Sequence, residues 1–415
     1  MHDTFDKAIQ DRKETSAGLM QYSAENLVPF GPIHPALKEP EYFKLILEGE
    51  RIVDVIPRIG YVHRGLEKAA EQRPWIQNIY MFERTCGICS FAHSMAYVQA
   101  VEGLLLYKLP ERAKFIRLIV AELERIHSHL LWIGLMGHWA GFETLFMWVW
   151  KDREIVLDIV EAIAGNRIHK SLATIEGVKR DIPEALISGF IERLKYITTR
   201  IHYYRSVVDT ESTLLIRTEG IGKISADRLE QLCAVGPLVR AAGIPRDVRR
   251  DDPYAAYTDV PLDVVTKTGV DIHTLMQQRL DEVVVSSNMI VYALEHLPPG
   301  QIKIRVPPVV PKGESVSHVE APRGELFYFV KSNGGRTPER VKVRTPTLAN
   351  LPSALEMLNG HTLADVPVVL TGIDPCFGCM DRLSFLDRDS QKLWRWSGEE
   401  LRQYGIHHYF PERKK

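Results

Sequence analysis

Arg84-Thr-Cys-Gly-Ile-Cys-Ser-Phe-Ala-His93 is one half of a pattern that Asp374-Pro-Cys-Phe-Gly-Cys-Met-Asp-Arg382 completes near the other end of the chain. Each stretch carries a Cys-x-x-Cys pair, Cys86 with Cys89 and Cys376 with Cys379, and together they use four of the five cysteines. A fold that joins the pairs brings four thiolates to one point, a soft-ligand site suited to zinc, an iron-sulfur cluster or another thiophilic metal. Structural zinc is the ordinary reading of two such pairs. It usually staples small domains whose pairs lie close in sequence, however, and a body of 415 residues needs no staple. A buried functional metal therefore gains weight. Cysteines three apart on a first helical turn face one side, and Arg84 with the free amides of a helix start favours thiolate over thiol.

Outward from these motifs, the centre of the chain has a helical period. Helices are predicted at about 86–107, 110–150, 152–175 and 183–207, then from the cap Ser225 to about Ala242, where Gly243-Ile-Pro245 ends it, and from about Ile272 to His296. Ahead of them, Tyr42 to Leu47 and Arg51 to Arg58 flank Glu48-Gly49-Glu50 as a hairpin. After Pro298-Pro299-Gly300 the pattern turns to strands at Lys303–Val306, Ser315–Glu320, Glu325–Lys331, Lys342–Arg344 and Val368–Leu370, with a helix near Leu351–Asn359. The expected fold is α+β and predominantly helical, with a central helical bundle flanked by small β-sheets.

Lys plus Arg number 52 against 53 Asp plus Glu, so no global charge draws the chain to nucleic acid or anionic lipid. The N-terminus has no secretory pattern, and reduced thiols fit the cytoplasm. The most apolar run, Leu130 to Trp150, holds His138, Glu143 and three glycines. It is read as a buried helix, because polar groups at mid-depth are costly in lipid.

The first motif resembles the Arg-x-Cys-Gly-x-Cys-x-x-x-His signature of nickel-iron hydrogenase large subunits, and the second resembles their C-terminal Asp-Pro-Cys-x-x-Cys. Arg382, where many members have histidine, resembles the group 4, energy-converting membrane-bound branch. The likeness runs from about Pro29 to Arg382 through Gly31-Pro-Ile-His-Pro35, His63-Arg-Gly-Leu-Glu67, Glu122-Leu-Glu-Arg-Ile-His-Ser-His129, Gly236-Pro-Leu-Val-Arg240, Asp252-Pro-Tyr254, Glu320-Ala-Pro-Arg-Gly324 and Arg344-Thr-Pro-Thr347. Several of these also resemble the 49 kDa quinone-reducing subunit of respiratory complex I, a relative that lacks the metal. The retained cysteines separate the two.

The resemblance implies an N-terminal arm at 1–28, one catalytic body at 29–382 and a C-terminal extension at 383–415. It implies a NiFe(CN)2CO centre, with Cys86 and Cys376 terminal on nickel, Cys89 and Cys379 bridging to iron, and Cys376 as first proton acceptor. Glu39 matches the glutamate that relays that proton; alone it reads as a solvated loop carboxylate. Arg323 and Thr347 match donors to the iron's diatomic ligands, and Pro322 and Pro346 match the pocket wall; alone they read as a surface turn and a strand residue with turn prolines. His93 matches a hydrogen bond to a bridging sulfur; alone it reads as a core histidine. Glu122, Arg125 and His129 share a helix face and read as an ion-pair network. His34 is a loop residue near the proton route, and Cys233 reads as a buried small apolar side chain. Arg382 cannot ligate a cation, so it is expected to pair with Glu67 in place of the magnesium other members bind. In the extension, Leu393, Trp394 and Trp396 precede a Ser397-Gly-Glu-Glu400 capping box and a stop at Gly405, a packed helix expected to be retained.

The function implied is the catalytic large subunit of a group 4 membrane-bound hydrogenase, reducing protons to dihydrogen reversibly. Its partners would be an iron-sulfur small subunit holding the clusters this chain lacks, complex-I-like hydrophilic and membrane subunits that couple turnover to ion translocation, and a donor system of ferredoxin, formate dehydrogenase or carbon monoxide dehydrogenase. That places it on the cytoplasmic side of the membrane, held through partners. The rivals are a complex-I-like subunit acting on quinone or sulfur, and a non-enzymatic zinc-stapled scaffold.

Overall fold

Four long helices, Glu111–Trp139, Glu143–Ala164, Glu184–Thr210 and Ile272–Glu295, form the centre of the computed structural model. The structure describes residues 26–105, 107–380, 385–386, 393–394 and 398–409. Helix 111–139 packs on both 143–164 and 272–295, and helix 184–210 closes the ring against those two. Ile119, Leu123, Ile126, Leu130 and Ile133, spaced three or four apart, are wholly buried along one face of helix 111–139.

Two three-stranded antiparallel sheets flank the bundle. One runs Leu27–Phe30, Tyr42–Glu48, Arg51–Arg58; the other runs Gly313–Ala321, Gly324–Ser332, Arg340–Arg344. Strand 324–332 alternates buried and half-buried residues along its length, as a strand with one face on a core does. That buried face, with Leu326, Tyr328 and Val330, sits against helix Ser90–Leu105. The predominantly helical α+β plan with a bundle between small sheets is the fold that forms.

Several boundaries differ from the sequence reading, each for a local reason. The helix expected at 110–150 breaks at Ala140–Phe142, where Gly141 takes φ +85°, and the next helix ends at Ala164, capped by Gly165 in the left-handed region, rather than near 175. Leu130–Trp150 is therefore parts of two helices, and among the described residues no helix is long and apolar enough to cross a membrane. The helix expected at 225–242 splits into Ala226–Gln231 and Pro237–Ala241 around Gly236 at φ +78°. That break turns Cys233 outward, so it is exposed rather than buried. Val368–Leu370 is not a strand but part of helix Val366–Gly372, entered through a capping box of Thr362 and Asp365. A short apolar run buried on all sides has no period by which to tell the two apart. Lys303–Val306 forms no strand beyond a single bridge from Lys303 to Gly177. Helix Pro346–Leu358 starts earlier than expected, with Pro346 at its first position. Helix Gly398–Tyr409 runs through Gly405 instead of stopping there. Of the arm expected at 1–28, residues 1–25 lie outside the described residues, as do the cap Ser397, Trp396 and Arg382, while Leu27 and Val28 already belong to the first strand.

Candidate metal centre

The two cysteine motifs meet. Cys86 to Cys89 lie in the bend just before helix 90–105 rather than on its first turn, and Cys376 immediately precedes the short helix Phe377–Met380. Helix 366–372, packed on bundle helices 111–139 and 272–295, delivers the second motif to the first. Sγ of Cys376 stands 3.3 Å from that of Cys86 and 2.8 Å from that of Cys379, and Cys89 and Cys379 are 3.7 Å apart. All four side chains are free thiols and buried. The amides of Ile88 and Cys89 point at the Cys86 sulfur, at 3.3 and 3.4 Å. Hydrogen bonds from Cys376, then Cys379 and Cys89, hold the Cys86 thiol well below its ordinary range, while burial pushes Cys379 up. Four buried sulfurs this close cannot all ionise unless a cation offsets their charge.

A residue without an assigned role in the sequence reading locks the two motifs together. Arg64 donates to the carbonyls of Arg84 at 3.1 Å, Thr85 at 2.8 Å and Gly378 at 2.8 Å. Its segment, His63 to Glu67, stood out, but nothing local shows that a guanidinium there spans both ends of the chain. Arg84 itself turns away, to Glu83 and the Tyr80 carbonyl.

Arg323 is no surface charge. It occupies the two-residue turn with Pro322 between strands 313–321 and 324–332, and both residues are buried. Its Nε donates to the Asp374 carbonyl at 2.6 Å and its Nη2 to Asp374 Oδ1 at 3.0 Å. Burial would raise the Asp374 carboxyl, but Arg323, Lys38 and Arg279 hold it well below the usual carboxylate range. Lys38 reaches it at 3.0 Å and Arg279 at 3.2 Å. Nη1 of Arg323 remains buried with no partner among the described residues, and the guanidinium feels the charges of Cys89, Cys86 and Cys376.

Thr347, the second residue of helix 346–358 directly after the buried Pro346, accepts from the Cys376 amide at 3.1 Å. Its hydroxyl proton is left to donate elsewhere. His93 places Nε2 3.4 Å from the Cys379 sulfur, with Nδ1 2.8 Å from the Tyr328 hydroxyl. Glu39 comes from the loop before strand 42–48. Its Oε1 lies 3.9 Å from the Cys376 sulfur, its Oε2 accepts from the Gly378 amide at 2.8 Å, and burial raises its carboxyl above the ordinary value.

Glu122, Arg125 and His129 belong to a buried ion network. Glu122 accepts from Arg125, Arg249, Tyr257 and Ser286, and His129 meets Glu282 at 2.8 Å. His34 is half-buried, its Nδ1 accepting from the Ala36 amide. Glu67 accepts from the Val343 amide at 2.9 Å and lies 3.3 Å from Lys342; the pairing expected with Arg382 falls outside the described residues.

The donor set fits a thiolate-held metal pair. Four buried sulfurs supply soft ligands, and an unpartnered buried guanidinium N–H is suited to a hydrogen-bond acceptor carried by such a metal.

Residues 140–309 and 307–382 match the family of the respiratory-chain NADH dehydrogenase 49 kDa subunit, and residues 64–135 match that of the nickel-dependent hydrogenases. Membrane-bound hydrogenase subunit alpha of Pyrococcus furiosus is 39% identical over 86% of this chain and 88% of its own length. Formate hydrogenlyase subunit 5 of Escherichia coli is 35% identical over 92% of this chain and 67% of its own. Among solved structures, an archaeal membrane-bound sulfane sulfur reductase superposes with a TM-score of 0.82 at 31% identity, over 87% of this chain and 100% of the matched one.

Proposed function

This chain belongs to the family that unites the 49 kDa subunit of respiratory-chain NADH dehydrogenase with nickel-dependent hydrogenases, and we propose that it is a hydrogenase large subunit of the group 4 membrane-bound branch. It is an oxidoreductase subunit of the kind found in membrane-bound respiratory complexes. The observation that carries the hydrogenase reading is the meeting of four buried thiols beside a half-buried carboxyl, with Glu39 Oε1 3.9 Å from Cys376 Sγ.

Cys86, Cys89, Cys376 and Cys379 would hold nickel and iron, and the bound centre would supply heterolysis and formation of dihydrogen. Around it the chain's own groups divide the work. Cys376 Sγ takes or gives the proton, and Glu39 Oε1 receives it from that sulfur. The amide of Gly378 keeps the Glu39 carboxylate aimed at the cluster. Arg323 Nη1 and the Thr347 hydroxyl would be the donors available to acceptor groups carried by the bound iron, with Pro322 and Pro346 as the wall of that pocket. His93 holds the Cys379 sulfur from the far side, its ring oriented by Tyr328.

Electrons would arrive from an iron-sulfur small subunit, because the paired thiols are committed and Cys233 is alone. Complex-I-like hydrophilic and membrane subunits would hold the chain at the cytoplasmic face of the membrane and couple turnover to ion translocation. The likeness to a sulfane sulfur reductase supports a second reading, in which the same fold delivers electrons to a sulfur substrate.

Elemental analysis and gas measurement on the purified complex separate the two. Nickel and iron in stoichiometric amount with hydrogen evolution bear out the first; polysulfide reduction without nickel bears out the second, and zinc alone contradicts both.

A further inference from the structure

Glu41 is a carboxyl for which the mechanism above has no use. It stands two residues past Glu39, across Pro40, and is wholly buried. Its amide donates to the Pro32 carbonyl at 3.1 Å. Its own carbonyl lies against Gly31, where a Cβ would meet that oxygen at 2.0 Å. Residues 31 to 41 therefore close on themselves, with Glu39 and Glu41 at the point of return. Oε1 of Glu41 accepts from the Tyr42 amide at 3.2 Å, whereas Oε2 is buried and has no partner among the described residues. A carboxyl kept for structure has its oxygens satisfied, because an unpaired buried acceptor costs about 1–3 kcal/mol.

We propose that Glu41 is the second carboxyl of the proton route, taking from Glu39 the proton that Glu39 receives at the metal centre. The proposal rests on the reading of Glu39 as the first relay. In the step, the Glu39 carboxylic acid loses its proton and becomes carboxylate, and the Glu41 carboxylate gains one and becomes the acid; no electron moves and no other net bond changes. The two residues stand at most about 7 Å apart along the backbone, and the proton would pass between their carboxyl heads through bridging water that releases one proton as it accepts another.

Burial, opposed by the Tyr42 amide and aided by the Glu39 charge, raises the Glu41 carboxyl to about 7. A group so placed exchanges protons readily near neutral pH. The other charged side chains nearby are engaged elsewhere. Lys38 is turned to Asp374, His34 Nδ1 accepts from Ala36, and Arg58, opposite on strand 51–58, lies over the Tyr42 ring.

The test uses the purified complex with Glu41→Gln, Glu41→Asp and Glu39→Gln. Infrared spectra recorded across neutral pH should show a protonated-carboxyl band that titrates near 7, is absent in Glu41→Gln, and titrates at lower pH in Glu39→Gln, where the neighbouring charge is gone. Glu41→Gln should slow proton-coupled hydrogen evolution by about 10-fold or more with metal content unchanged, and Glu41→Asp should recover the rate. A spectrum with no such band, or Glu41→Gln at full rate while Glu39→Gln is slow, overturns the role of Glu41 and leaves that of Glu39. Full rate in Glu39→Gln overturns both.

Discussion

Arg323 grips Asp374 twice, through Nε on its backbone carbonyl at 2.6 Å and Nη2 on its carboxylate at 3.0 Å. Asp374 holds φ +54°, a left-handed conformation rare for a residue with a side chain. The two contacts fix the guanidinium plane, and the third nitrogen has no partner among the described residues. Arg323→Leu would leave the buried Asp374 with Lys38 and Arg279 alone. Breaking such a pair costs about 3–5 kcal/mol, so urea unfolding of the metal-free protein should show a clearly lower midpoint. An unchanged midpoint would contradict this account.

Gly378 lies between the second pair of cysteines, and a Cβ there would come within 2.8 Å of Glu39 Oε1. Gly378→Ala should push the carboxylate away from Cys376 without touching a sulfur. Metal content should stay at the wild-type level while hydrogen evolution falls by about 10-fold or more; equal loss of metal and rate would point to a disturbed cluster instead.

Cys376→Ser replaces a soft thiolate with a hydroxyl that neither ionises readily nor suits nickel. The variant should fold and lose its nickel, as elemental analysis of the purified protein would read. Full nickel content would remove Cys376 from the ligand set.

His129 carries a pH dependence whose direction follows from its partners. Arg279 can only donate, so Nδ1 accepts at 3.3 Å, and Nε2–H then donates to Glu282 at 2.8 Å; the ring is neutral. Burial pulls it down to about 4. The unfolded ring titrates near about 6.5, so between those values the unfolded chain binds the extra proton and stability rises with pH. The contribution, roughly 3 kcal/mol, is complete above about 6.5 and lost as pH falls toward 4. Unfolding midpoints measured across that interval should fall less steeply for His129→Gln than for wild type; parallel slopes would show that His129 does not titrate in this way.

The four sulfurs were legible in the sequence, because a Cys-x-x-Cys spacing is a local pattern and four soft donors admit few uses. The bundle was legible as well, since a 3.6-residue apolar period over twenty or more residues has one physical reading. Glu39, Arg323, Thr347 and His93 were named only through resemblance. On local grounds each reads as an ordinary loop, turn, strand or core residue.

Tertiary structure alone decided the rest. It buried the Pro322-Arg323 turn, set Arg64 across both cysteine loops, and gathered Lys38, Arg279 and Arg323 on one carboxylate. It also made Val366–Gly372 a helix and broke the long helix at Gly141. The physical reason is shared. A period or a ligand spacing is written within a few turns of chain, whereas the partner of a buried charge is chosen by contacts between segments hundreds of residues apart, and no local pattern carries that choice.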